Sequence, residues 1–284
     1  MRRHIFSINS GRSGSEYLMR VLSTAENVTA FHEPEPDGAG RRITQYPATN
    51  PTLLDRLTYP LWYRRKLGKV KAIRRMTQDW EPRRIYAESN HMFIFSFYDV
   101  VMDHLEGVSV ILLRRWLPSG MRSFMELNHF TAEDPFAKWW FPSPHSKSAA
   151  ATPLAPYEEL DQADRIIAYL IDVEARAQRF KARYPDTPVI EARLEELNDV
   201  DKVRAMFRAL SLRETPLTTQ IVGRVVNDKK QHKSEVANPT TIEYCKERIE
   251  QYLDKCARRG IEVPALPQLV EVKRSAPTAL ATSA

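Results

Sequence analysis

The chain has 284 residues, 43% of them hydrophobic, and a formal net charge of +6. That is enough apolar material for one sizeable core, so a single domain is expected over residues 1–274, with 275–284 as a disordered Ala/Pro/Thr/Ser tail. The charge excess favours anionic ligands, but no nucleic-acid-binding motif accompanies it, and no apolar run is long enough for a transmembrane segment.

In chain order, His4 to Asn9 reads as a short buried strand and Ser15 to Ala25 as a helix with Leu18, Val21 and Leu22 on one face. Between them lies "SGRSGS", where Gly11 and Gly14 flank Arg12 and Ser13 although the whole chain has only nine glycines. Glycine lets the backbone turn sharply and approach a ligand closely. The loop ends at a helix N-terminus, where unpaired amides and the helix dipole favour an anion, most often phosphate. A tight turn with no ligand is the other reading.

"NVTAFHEP" supplies a second strand, Val28 to Phe31, followed by His32, Glu33 and a Pro/Gly-rich loop to about Pro51. A basic, aromatic-rich helical region then runs to about Met76. Its "RRKLGKVKAIRR", Arg64 to Arg75, holds seven Lys or Arg and no acid. This run reads as a solvated helix face or as a surface for an anionic acceptor or a membrane. "RRIYAES" gives a third strand, and Asn90 to Leu105 an apolar helix that includes His91. Val108 to Arg114, "VSVILLR", is the clearest buried strand, bounded by Gly107 and Pro118, and a helix follows to Leu127.

Asn128 to Pro156 is too long for a simple connector and reads as a lid or acceptor-binding segment. A long helix from Tyr157 to Tyr184, a strand in "PVIEARL" and a helix from Val200 to Leu210 come next. The last helix opens at "TTIEYCKERI" with capping-box spacing from Thr240 to Glu243. Strands alternating with helices argue for an α/β fold. Cys245 and Cys256, eleven apart on that last helix, are too distant to bond while it is intact, which suits a reducing compartment. The first strand starts near residue 4 and leaves no room for a signal peptide, so the expected location is cytoplasmic.

The glycine loop lacks the G-x-x-x-x-G-K-[ST] pattern of nucleoside triphosphatases, and the buried strand ends in Arg114 and Arg115 where a magnesium enzyme would place an aspartate. No metal is expected, and two cations at the carboxyl edge of the sheet suggest a second anionic group held by protein alone. With these landmarks the chain resembles 3′-phosphoadenosine-5′-phosphosulfate (PAPS)-dependent sulfotransferases, the bacterial and carbohydrate-modifying branches with "GRSGS" type loops. The resemblance runs from about Arg3 to Lys233 and implies a P-loop-like three-layer fold with a central, mainly parallel sheet flanked by helices.

The same resemblance implies an enzyme, a transferase moving a sulfuryl group from the nucleotide PAPS to a hydroxyl or amine of a small-molecule or carbohydrate acceptor, with adenosine 3′,5′-bisphosphate as the other product. It implies that Gly11, Arg12, Ser13, Gly14 and Ser15 wrap the 5′-phosphosulfate, with Arg12 stabilising charge on the leaving oxygen, and that Tyr17 lies on the adenine side. Arg115 and Ser123, eight residues apart, match its 3′-phosphate motif. "VVNDKKQHK", with Lys230, resembles its late basic loop over the nucleotide. Glu33, His32 and His91, in that order, match positions of its general base. Glu16 departs from the family's Thr or Ser, and a carboxylate there repels the phosphosulfate unless it points away or pairs with a cation. A P-loop-type small-molecule kinase and a non-catalytic nucleotide-binding protein are the alternatives.

Overall fold

The computed structural model describes residues 2–36, 52–131, 145–222 and 240–272. Five strands, β1 (His4–Ile8), β2 (Val28–His32), β3 (Ile85–Ser89), β4 (Val108–Arg114) and β5 (Val189–Arg193), form one sheet in the order β2-β3-β1-β4-β5, with every pairing parallel. The expected P-loop-like three-layer α/β fold is therefore present, with a wholly parallel sheet. The Lys230 stretch, residues 132–144 of the expected lid and the 275–284 tail lie outside the described residues.

Eight α-helices are described: α1 (Ser15–Leu22), α2 (Leu53–Thr77), α3 (Tyr98–His104), α4 (Leu117–Glu126), α5 (Gln162–Arg183), α6 (Val200–Ala209), α7 (Pro216–Ile221) and α8 (Ile242–Arg258). Parallel strands are covered on both faces, and alternate residues of each strand face opposite layers. Phe6, Ile8, Tyr86, Val110 and Leu112 accordingly pack with α2, α3, α4, α5 and α8. Ile5, Ala87, Ile111 and Leu113 pack on the other face with α1 and α6.

This division locates the ligand crevice. The helices that follow the neighbouring strands β1 and β4 lie on opposite faces of the sheet, and the chain leaves β1 towards β2 but leaves β4 towards β5. The carboxyl ends of β1 and β4 thus form the topological switch point, where open parallel sheets leave room for a ligand.

Three local expectations change, and one helix is additional. The helix expected from Asn90 begins as a π-helical turn at Phe93–Phe97 before α3, with all five of those residues buried. Asp161 caps α5 by accepting from the Asp164 amide, so the long helix starts at Gln162, after a 3-10 turn at Tyr157–Glu159. Thr241 caps α8 by accepting from the Tyr244 amide, which moves the cap one residue beyond the expected Thr240 box. The short α7 is additional to the expected elements, although Thr215 followed by Pro216 is a recognisable helix start.

Candidate functional site

The loop after β1 is held in shape from three sides. Arg12 and Gly14 both adopt left-handed backbone, at φ 59° and 86°. At Gly14 the left-handed backbone calls for glycine, and a Cβ there would also displace the Leu194 side chain, whose Cδ1 would lie 2.3 Å away. The Gly11 amide donates to the hydroxyl of Tyr169, fully buried on α5, at 3.1 Å. Arg115 Nη1 donates to the Arg12 carbonyl at 2.8 Å. No side chain caps α1 at Gly14, and the positive end of that helix is turned to the loop.

Arg12 Nε donates to Ser123 Oγ on α4 at 3.3 Å. The structure thereby brings together Arg12, Arg115 and Ser123 across the β1–β4 switch point. Loss of hydration lowers the Arg12 pKa from its ordinary value, partly offset by the charge of Glu16, and an arginine stays cationic under such a shift. Ser13 is buried between the two left-handed residues, and its Oγ has no hydrogen-bond partner among the described residues. A buried hydroxyl left in that state is costly unless something accepts from it.

The neighbouring cations have other duties. Arg114 is buried and gives two bonds of 2.8 Å to Glu174 on α5 and one of 2.7 Å to Glu191 on β5. Adjacent strand residues point to opposite sides, so of the two expected cations only Arg115 is turned to the loop, where it bonds the Arg12 carbonyl. Arg122, the spacing partner of Arg114, instead pairs with Glu126 at 3.6 Å. Tyr17 is packed into the core with its hydroxyl donating to the Leu197 carbonyl at 3.1 Å. Glu16 pairs with Arg20 one turn along α1 at 2.9 Å.

The second half of the site lies at the carboxyl ends of β2 and β3. Glu33 sits just past β2 in left-handed backbone, φ 46°, with its amide bound to the Ser89 carbonyl. Its Oε1 accepts from Nδ1 of the buried His91 at 2.8 Å, so two of the three candidate bases form one pair. His32 ends β2 with its side chain exposed. Burial alone would raise the Glu33 carboxyl; the hydrogen bond and charge of His91 and the charge of His32 outweigh it and hold the group below the ordinary carboxylate range.

Sequence reasoning missed the buried polar cluster beneath this pair. Lys69 on α2 bonds Glu88 on β3 at 2.7 Å and donates to the Pro34 carbonyl, next to Glu33, at 2.9 Å. Glu88 also accepts from Tyr86 at 2.6 Å and from Asn90 at 3.1 Å, and Asn90 accepts from the Met92 amide. One buried ion pair thus ties down the residues on either side of the Glu33–His91 contact. Its only signal in the sequence was a glutamate inside the buried strand IYAES.

No protein-family model and no curated protein matches the chain. Among solved structures it is similar to the sulfotransferase domain from the curacin biosynthetic pathway, at 14% identity and a TM-score of 0.49, covering 93% of this chain and 99% of that one. A sulfotransferase from Alicyclobacillus acidocaldarius is similar at 13% identity and a TM-score of 0.49, covering 91% and 94%. One from Mycobacterium tuberculosis H37Rv follows at 16% and 0.45, covering 88% and 77%.

Proposed function

We propose that this chain is a sulfotransferase taking PAPS as donor and a hydroxyl or amine of a small-molecule or carbohydrate as acceptor. The observation that carries this reading is the meeting of Arg12 with both Arg115 and Ser123 across the switch point. The glycine-loop motif and the strand-end motif, about a hundred residues apart in the chain, form one cationic, hydroxyl-bearing locus suited to a nucleotide with phosphates at two ends.

PAPS would supply an activated sulfuryl group on a phosphate that gains negative charge as it leaves. The loop amides, Ser13, Ser15 and Arg12 fit its 5′ end, and the partnerless buried hydroxyl of Ser13 is a donor of the kind such oxygens accept. Arg115 and Ser123 fit the 3′-phosphate. Glu33, kept ionised by His91, accepts the acceptor's proton. His91 then orients that carboxylate, and His32 flanks it. The pairing of Glu16 with Arg20 gives that carboxylate a cation on its own helix, an arrangement compatible with an anion at the loop.

The test is incubation of the purified protein with PAPS and a panel of hydroxyl and amine acceptors, read by mass spectrometry. A mass gain of one sulfuryl group with release of adenosine 3′,5′-bisphosphate is expected, and it should persist in a chelator. Turnover of ATP that requires magnesium, with none of PAPS, would establish the kinase instead.

A further inference from the structure

The cation run on α2 is not consumed by the site. Of its seven Lys and Arg, Lys66 and Lys69 are buried and pair with Asp99 and Glu88, while Arg74 Nη2 donates to the His104 carbonyl. The exposed Arg64, Arg65, Lys71 and Arg75 have no acidic partner among the described residues. Two turns earlier on the same helix, Leu53, Leu54, Leu57 and Leu61 are 63 to 73% exposed.

At 100° per residue these two groups share one face. Leu53, Leu57, Arg64, Lys71 and Arg75 fall within a narrow strip, with Leu54, Leu61 and Arg65 along one border. The leucines cover about 12 Å of helix axis and the cations about 16 Å beyond them. One outward face is therefore apolar at its start and cationic along its remainder, while the opposite face is sealed into the protein from Lys66 onward, with Lys69, Val70 and Ile73.

A second copy of the chain is a poor occupant, because a parallel pairing of this face sets four cations against four, and an antiparallel one sets them over leucines. An occupant must be apolar to the depth of a leucine side chain and anionic at its rim. The boundary between phospholipid headgroups and acyl chains has both properties. We infer that the outer face of α2 is a docking surface for an anionic lipid bilayer. The helix lies along the interface, with Leu53, Leu54, Leu57 and Leu61 entering the acyl boundary and Arg64, Arg65, Lys71 and Arg75 contacting lipid phosphates. No helix among the described residues is long and apolar enough to cross a membrane, so this attachment is peripheral.

The mid-helix residue Lys69 bonds the Pro34 carbonyl beside Glu33, so a docked α2 holds the candidate site close to the lipid surface. The docking claim does not depend on the sulfotransferase reading and is tested without turnover. The full chain is sedimented with vesicles of phosphatidylcholine containing 30% phosphatidylglycerol, and with vesicles of phosphatidylcholine alone, at 0.1 M and 0.5 M salt. Binding to the anionic vesicles is expected to be at least about tenfold tighter than to the neutral ones and to weaken at high salt, as screened surface charge requires. Replacing the four leucines by serine, or the four cations by glutamine, should each cut that binding by about tenfold or more. Circular dichroism of each variant checks that the fold is intact, as expected for exposed positions. Equal binding to both vesicle types, no binding at 0.1 M salt, or leucine variants that bind as the parent does would overturn the inference. So would a leucine-dependent dimer or capture of an acidic protein in place of vesicle binding.

Discussion

At the scale of single residues the site divides by charge. Arg12 belongs to the loop backbone and to α4 at once, so its guanidinium is positioned before any ligand arrives. Only a group that meets the transition state more strongly than the ground state speeds chemistry. Arg12→Ala is expected to lower PAPS turnover by roughly 100-fold or more, the scale of one lost oxyanion donor, with a smaller change in nucleotide affinity. Arg115→Ala should weaken adenosine 3′,5′-bisphosphate by about 1.5–3 kcal/mol and adenosine 5′-monophosphate far less, as calorimetry can show. An equal loss for both ligands would remove Arg115 from the 3′-phosphate.

Glu33 carries a pH signature. Its folded pKa lies below the ordinary value, so its contribution to stability is complete above about pH 4.3 and disappears as pH falls through the lowered folded value. Between pH 5 and pH 3 the parent should therefore lose more stability than Glu33→Gln, which keeps an acceptor for His91 but cannot titrate. Urea midpoints at the two pH values measure the difference; equal losses would mean that the pair with His91 contributes nothing to folding. In turnover, the proposed role of Glu33 as proton acceptor predicts that Glu33→Gln is slower at unchanged nucleotide affinity.

At the scale of elements, α5 and α2 do most to hold the site. From α5, Tyr169 receives the Gly11 amide, Glu174 grips Arg114 at the end of β4, and Asp172 accepts from the Ala150 and Ala151 amides. From α2, Lys69 enters the interior and pairs with Glu88, which is fully buried near the carboxyl end of β3. Burial raises the Glu88 carboxyl above its ordinary value even though Lys69, Tyr86 and Asn90 all favour its charged form. Lys69→Met leaves that acid without its cation and should destabilise the protein by about 3–5 kcal/mol, the cost of breaking one side of a buried pair. Lys69→Met combined with Glu88→Gln should recover most of that loss in a denaturant titration. Failure of the pair to recover would show that the cation stabilises mainly through the Pro34 carbonyl.

At the scale of the whole molecule, two helix layers seal the sheet and bury both thiols under α8. Cys245 and Cys256 are at most 1% exposed. Burial pushes the Cys245 thiol up to about 11 and raises that of Cys256. Reactivity belongs to the thiolate, so an aromatic disulfide reagent at pH 7.5 is expected to find neither thiol in the folded protein and both in urea. Rapid labelling without denaturant would mean that α8 separates from α4 and α5 on that timescale.

What was legible in the sequence was whatever a short stretch settles by itself. The apolar runs of β1 and β4 are strands because both faces of a parallel sheet are covered, and Gly11 and Gly14 mark a loop that only a flexible backbone can follow into α1. The eight-residue step from Arg115 to Ser123 was likewise visible. Tertiary structure alone decided which of two adjacent arginines faces the loop, because Glu174 lies sixty residues from Arg114 and no local pattern announces a partner at that distance. It also decided that Glu33 joins His91, and that two of the seven cations in the Arg64–Arg75 run turn inward to buried acids. Local propensity fixes backbone form within a few residues, whereas the partner of a charge depends on which strands lie side by side, and that is set only when the sheet order β2-β3-β1-β4-β5 closes.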